Sequence, residues 1–176
     1  MLGGELVGLV PLQTTDELAL YKWLNDPRVR KAAGRPTWKP AYSLEQVQDL
    51  IRERSAQPSR FDLMVIDLRT ERPLGLIELA HLQPMSDSAQ ISLIRGEKGE
   101  DDLMMEALVL TTGYAFNSQG LHRLWTRVPA REKGAIAAFQ KVGFKEEGRL
   151  REDHFGDGVW QDSVLLSLLS AEARPC

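Results

Sequence analysis

The stretch Ile91-Ser92-Leu93-Ile94-Arg95-Gly96-Glu97-Lys98-Gly99-Glu100-Asp101-Asp102 decides how the rest of the chain is read. Its first four residues form a short apolar strand, and Arg95 to Asp102 form a loop with two glycines. A helix then begins near Asp101 or Asp102, with Leu103, Ala107, Leu110 and Phe116 inward and Gly120 as its stop. The strand Leu121–Val128 follows, and then a helix over Arg131–Val142 with Gly143 at the left-handed C-cap. A strand that passes through a glycine-containing loop into a helix start offers backbone N–H groups and a helix dipole to a phosphate.

Working outward, Leu6–Leu12 reads as a first strand closed by Pro11. Thr14 with Glu17 signals a capping box for a helix bearing Leu18, Tyr21 and Leu24, which should stop at Asn25-Asp26-Pro27. Ser43 with Gln46 caps a second helix, with Val47, Leu50 and Ile51 on one stripe. Strands are predicted at Phe61–Leu68, Leu74–Leu82 and Ala89–Arg95, and later at Phe144–His154 and Val159–Leu169, the last two joined by Gly156-Asp157-Gly158. The order β-α-α-β-β-β-α-β-α-β-β predicts an α/β (α+β) fold: a mixed, mostly antiparallel sheet of about seven strands with about four helices on its two faces.

With 176 residues the chain is sized for one domain, 1–176. A net charge of −3 gives no clustered basic face for nucleic acid. No apolar run reaches the roughly 18 residues of a membrane span, and the N-terminal residues lack a signal-peptide pattern, so a cytoplasmic location is expected. The one cysteine, Cys176, and three scattered histidines give no metal-ligand spacing, so no metal is expected.

Several spaced motifs are similar to the RimJ/RimL-type branch of GNAT acetyltransferases. They are Trp23-Leu24-Asn25-Asp26-Pro27, Glu106-Ala107-Leu108, Leu121-His122-Arg123, and Lys141-Val142-Gly143-Phe144 running on to Glu147-Gly148 and Arg151. Phe155, Asp157-Gly158, Trp160 and Asp162-Ser163-Val164 complete the set. The resemblance implies a GNAT fold and transfer of an acetyl group from acetyl-CoA to a primary amine, on a peptide or a small molecule. It implies a cofactor cleft between the strands 89–95 and 121–128. There Ile91, Ser92, Leu93, Ile94 and Arg95 would take the pantetheine arm as an added strand, and Lys98 and Gly99 would meet the pyrophosphate. Glu132 and Phe139 occupy two further cofactor-side positions. Trp23, Asn25, Arg28, Trp38 and Trp160 would surround the acceptor mouth, and pairing of two copies is a further implication.

The chain departs from that branch at informative places. Glu97, Glu100, Asp101 and Asp102 surround the phosphate loop; acidic residues in a first helical turn also complement the dipole. Phe139 stands where many members carry a tyrosine that protonates the leaving thiolate, and Ala135 where others carry serine. Neither side chain has a proton to give. Two side chains are candidate bases. His154 has a side chain suited to proton transfer near neutrality; its other reading is a solvated hairpin histidine. Glu78 lies on a predicted apolar face with Leu74, Leu76 and Ala80; its other reading is an arginine pair. His81 and His122 read as structural. Two functions therefore stand open: N-acetyl transfer, or a GNAT-fold binding module that has lost it.

Overall fold

The computed structural model describes residues 2–32, 39–83, 85, 87–97, 101–156 and 158–173. Eight strands form one sheet: β1 (Leu2–Gly3), β2 (Val7–Pro11), β3 (Phe61–Asp67), β4 (Pro73–Gln83), β5 (Ser88–Arg95), β6 (Arg123–Pro129), β7 (Lys145–Gly156) and β8 (Val159–Leu169). Their order is β1-β2-β3-β4-β5-β6-β8-β7, and every neighbouring pair is antiparallel except β5 with β6. Among the described residues five α-helices accompany them: α1 (Glu17–Asn25), α2 (Pro27–Ala32), α3 (Leu44–Ser55), α4 (Asp101–Gly113) and α5 (Lys133–Val142). The mixed, mostly antiparallel sheet is as the alternation of patterns predicts.

Two elements exceed the expectation: the two-residue β1 and the helix α2. Pro27 does end α1, since Asp26 is extended at φ −72°, ψ 120°. The same proline, however, has a ring fixed at a helical φ and sits at the first position of α2. Asp26 Oδ1 accepts the Arg28 N–H at 2.8 Å and so caps the new helix. The first cap also moves. The Gln13 N–H donates to Asp16 Oδ2 at 2.8 Å over a short turn at Thr14–Asp16, and Glu17 instead accepts from Gln48. The Ser43–Gln46 box forms as read, at 3.1 and 2.8 Å.

Apolar side chains fill both faces of the sheet. Leu20, Trp23, Leu24, Val47, Ile51, Met64, Leu76 and Ile94 make one core, beneath α1 to α3. The other joins Leu74, Ile77, Leu79 and Ile91 to Ala107 and Leu108 of α4, and Ile136, Phe139 and Val142 of α5. Leu74 therefore does not share a face with Leu76 and Glu78, as strict alternation predicted. A register shift between Val65 and Ile66 lets the β3–β4 ladder slip there.

Trp23 is 1% exposed and lies against Gly96. Any Cβ at Gly96 would enter the indole ring. Because that ring is buried and cannot swing aside, Gly96→Ala is expected to lower unfolding free energy by about 1–3 kcal/mol, read by denaturant melts. At the opposite edge, Arg123 of β6 reaches across β8 to Glu147 with two hydrogen bonds of 2.8 and 2.5 Å. The Arg123 guanidinium, with Ser167, holds the Glu147 carboxyl down at about 2. A depressed acid stabilises the fold above its ordinary titration and ceases to do so as pH falls through the folded value. Glu147 is 38% exposed, so Glu147→Gln is expected to cost only about 1 kcal/mol at pH 7. That gap should close as pH falls from about 4.5 to 2, in melts at stepped pH.

Candidate active site

Three register pairs join β5 to β6: Ser88↔Arg123, Ala89↔Leu124 and Gln90↔Trp125. Among the described residues the pairing goes no further, and the strands part. β5 keeps its partner β4 as far as Gly75↔Arg95, so beyond Gln90 it presents an unpaired strand edge to the gap. A cleft of about 560 Å³ opens there, walled by Ser92, Leu93, Ile94 and Arg95 of β5 and by Thr126, Arg127 and Val128 of β6. Arg28, Val29 and Ala32 of α2, Phe139 and Ala135 of α5, and His154 and Ser163 of β7 and β8 also line it.

His154 reaches the cleft through an irregularity. Leu150 pairs with Ser163 and His154 with Gln161, so Arg151, Glu152 and Asp153 oppose the one residue Asp162. Glu152 takes a left-handed φ of 51°, and its N–H donates to Asp162 Oδ1 at 3.0 Å. Such bulges bend a strand and re-aim its side chains. The His154 Nδ1 lies 3.5 Å from Ser163 Oγ, while Nε2 is shut off from solvent and has no hydrogen-bond partner. The residue is partly exposed, but its Nε2 is not solvated.

Glu78 also faces the cleft, in register with Asp62 on β3 and Ser92 on β5. Its Oε1 is bound by Arg54 of α3 and lies 3.6 Å from Arg60, and its Oε2 accepts from Ser92 Oγ at 2.7 Å. Arg60 in turn bonds Asp62 at 2.7 and 2.9 Å. Burial pushes the Arg60 guanidinium down, but the Asp62 bond outweighs it and the net direction is up. The arginine pairing raised for Glu78 is thus present, as a compensated four-charge cluster beneath the cleft.

The other charges in the wall are engaged as well. Arg28 pairs with Asp26 at 2.5 Å, Arg127 with Asp153 at 3.2 Å, and Arg95 with Asp101 at the start of α4. Glu97 accepts from Lys22 at 2.8 Å and from Trp23 Nε1 at 3.2 Å, and the Lys22 bond holds its carboxyl below the usual range.

Several expectations need correction. Trp23 does not line an acceptor mouth, because its ring fills the core beneath α1 to α3. Asn25 is spent on Tyr42, donating to its carbonyl at 3.1 Å and accepting its N–H at 2.7 Å, which fastens the segment before α3. Ile91 turns its side chain into the core, so only its backbone could meet a ligand. Glu132 sits just before α5 beside Arg131, outside the cleft wall. Trp160 lies on the hairpin, 60% exposed and edge-on to Phe155 at 5.5 Å, and is not among the cleft residues. Trp38, Lys98 and Gly99 lie outside the described residues, as does Glu100. Arg28, Ser92, Leu93, Ile94, Arg95, Phe139, Glu78 and His154 do come together.

The wall meets the two ends of an acyl-CoA differently. The unpaired β5 edge suits the amide-rich pantetheine arm. The described part of the phosphate loop suits its end less well: the Gly96 and Glu97 N–H groups both donate to the Leu74 carbonyl at 3.0 Å, and Asp101 holds Arg95. Asp101→Asn should free that guanidinium and tighten acetyl-CoA by about tenfold, a change of about 1.4 kcal/mol; titration calorimetry would measure it. Sequence reasoning missed Ser163, Arg127 and Asp153 as site residues. Ser163 stood inside a recognised motif, and its place opposite Leu150 was hidden by the bulge.

Among the described residues there is no group of three or more His, Cys, Asp or Glu suited to a metal, and no helix long and apolar enough to cross a membrane. A family described as acetyltransferase (GNAT) domain matches residues 7–145. Curated relatives include the probable N-acetyltransferase YjcK of Bacillus subtilis, 27% identical over 125 residues, covering 68% of this chain and 67% of that one. Another is the [ribosomal protein uS5]-alanine N-acetyltransferase of Escherichia coli, 26% identical over 128 residues, with 72% and 66% covered. Among solved structures, the spermidine N-acetyltransferase of Vibrio cholerae in complex with CoA and spermine superposes with a TM-score of 0.85. It is 20% identical, with 96% and 98% of the two chains covered.

Proposed function

Because this chain belongs to the acetyltransferase (GNAT) domain family and is an enzyme of that type, we propose that it moves an acetyl group from acetyl-CoA to a primary amine by direct attack. The observation that carries this reading is the opening between β5 and β6, with a buried, unpartnered histidine nitrogen in its wall. In this reading the outward backbone groups of Ser92 to Arg95 hold the pantetheine arm, and residues 1–176 act as one RimJ/RimL-type domain. His154 takes a proton from the acceptor ammonium directly, once entry of the acceptor uncovers the Nε2 that is otherwise shut off from water. The freed amine attacks the thioester carbonyl; the C–N bond forms, the C–S bond breaks, and the sulfur leaves as thiolate. With phenyl and methyl groups at Phe139 and Ala135, neither of those positions can return a proton to sulfur, and His154 returns the one it took. Glu78, with both carboxylate oxygens engaged, orders the cleft floor through Ser92.

The acceptor is a small-molecule amine or a peptide N-terminus. The relatives' names span both, a polyamine and an alanine of a ribosomal protein. Arg28 stands in the cleft wall, and the exposed Phe155–Trp160 pair offers an apolar surface on the neighbouring hairpin. A cytoplasmic location, where acetyl-CoA is made, fits this activity. Titration calorimetry of the protein with acetyl-CoA, at low and at physiological salt, tests the donor. Micromolar binding with thiol release on adding amines or N-terminal peptides is expected. No heat and no thermal shift up to millimolar acetyl-CoA would overturn the reading.

A further inference from the structure

The bond that decides what His154 does lies behind its ring. A neutral imidazole carries one proton on either of two nitrogens, and the partner of one nitrogen fixes the chemistry of the other. In many sites a carboxylate is that partner. Here the nearby carboxylates are engaged elsewhere: Asp153 with Arg127, and Glu78 with Arg54 and Ser92. Among the described residues the ring's hydrogen-bonding neighbour is Ser163, whose Oγ lies 3.5 Å from Nδ1 and whose side chain is buried at 3% exposure.

The two placements of the proton are not equivalent. On Nε2 it would be a donor sealed from water with no acceptor, which carries the full desolvation penalty of an unmade hydrogen bond. On Nδ1 it faces an oxygen with free lone pairs. We propose that Ser163 is a positioning residue that accepts the Nδ1 proton of His154, holding the imidazole as the Nδ1–H tautomer with the Nε2 lone pair kept for a proton from the acceptor. The distance is at the outer limit of a hydrogen bond, as is common for catalytic contacts before substrate arrives. The bulge at Glu152, tied to Asp162 Oδ1, sets His154 opposite Gln161, two residues before Ser163 on β8. The role in turnover rests on His154 as the base; the tautomer does not.

The test uses the full chain labelled with nitrogen-15, with the imidazole tautomer of His154 read from two-bond proton–nitrogen correlations. The wild type is expected as Nδ1–H. Ser163→Ala should move the ring toward Nε2–H, and Ser163→Thr, which keeps the hydroxyl, should leave it as Nδ1–H. In amine acetylation, Ser163→Ala should lose about tenfold in kcat with KM for acetyl-CoA little changed, and Ser163→Thr should recover most of it. A wild-type Nε2–H tautomer would overturn the proposal, and needs no variant to fold. An unchanged Nδ1–H tautomer in Ser163→Ala would overturn it too, whatever happens to turnover. A tautomer shift without loss of turnover would uphold Ser163 as the orienting residue and remove His154 as the base.

Discussion

Replacing His154 with alanine is expected to lower kcat/KM for amine acetylation by about 10²–10⁴-fold, the usual contribution of a positioned general base. His154→Gln should do nearly the same, because glutamine keeps polarity and much of the bulk but cannot hold a proton. The thermal midpoint should stay close to that of the wild type. The ring's one hydrogen bond is long and its Nε2 bonds nothing, so truncation removes little hydrogen-bond energy and discards an unsatisfied nitrogen. Assays of thiol release on purified variants would measure the rate, and calorimetric melts would confirm the fold. A loss of less than threefold with the fold intact would exclude His154 as the base.

Glu78→Ala is expected to act through the fold first. It strips the carboxylate from Arg54 and Arg60, whose side chains are 10% and 15% exposed, and leaves Asp62 to balance two guanidinium groups. Removing one member of a buried ion cluster typically costs about 3–5 kcal/mol, a large share of a domain's stability of about 5–15 kcal/mol. Paired removal should cost less than the sum: Glu78→Leu with Arg54→Leu deletes both charges together. Denaturant melts of the two single variants and the double variant would show this coupling. Additive effects within about 0.5 kcal/mol would mean that Glu78 and Arg54 do not stabilise one another.

The layout of the fold was legible because its signals are local. Apolar runs bounded by glycine and proline marked the long strands, Ser43 with Gln46 marked the start of α3, and Gly143, at φ 117°, marked the end of α5. Pro27 was read correctly as a stop and not as a start, since the same ring geometry serves both. The site was less legible, because its geometry depends on pairing. Trp23 and Asn25 stand in a recognisable motif, yet the motif belongs to a core and to a loop clasp. The phase of β7 depends on a bulge that no periodicity announces, so Ser163 could not be set beside His154 from spacing. Glu78 was conspicuous as a charge among apolar neighbours, but its arginines come from α3 and the turn before β3.

The sheet order carries a consequence for synthesis. β8, the latest strand in the described chain, does not lie at a margin; it is the interior strand between β6 and β7. While the chain emerges from the ribosome, β1 to β5 can pair in the order they appear, apart from the helical excursion between β2 and β3. β6 then gains only a three-pair parallel contact with β5, and β7 has no neighbour at all until β8 arrives. Open strand edges of that kind invite pairing with other chains. The exposed charges along β7, from Lys145 through Glu146, Arg149 and Arg151 to Glu152, therefore guard a nascent intermediate as well as the finished edge. His154 and Ser163 meet only at that closure, so pairing of β7 with β8 brings together the proposed base and the residue that positions it.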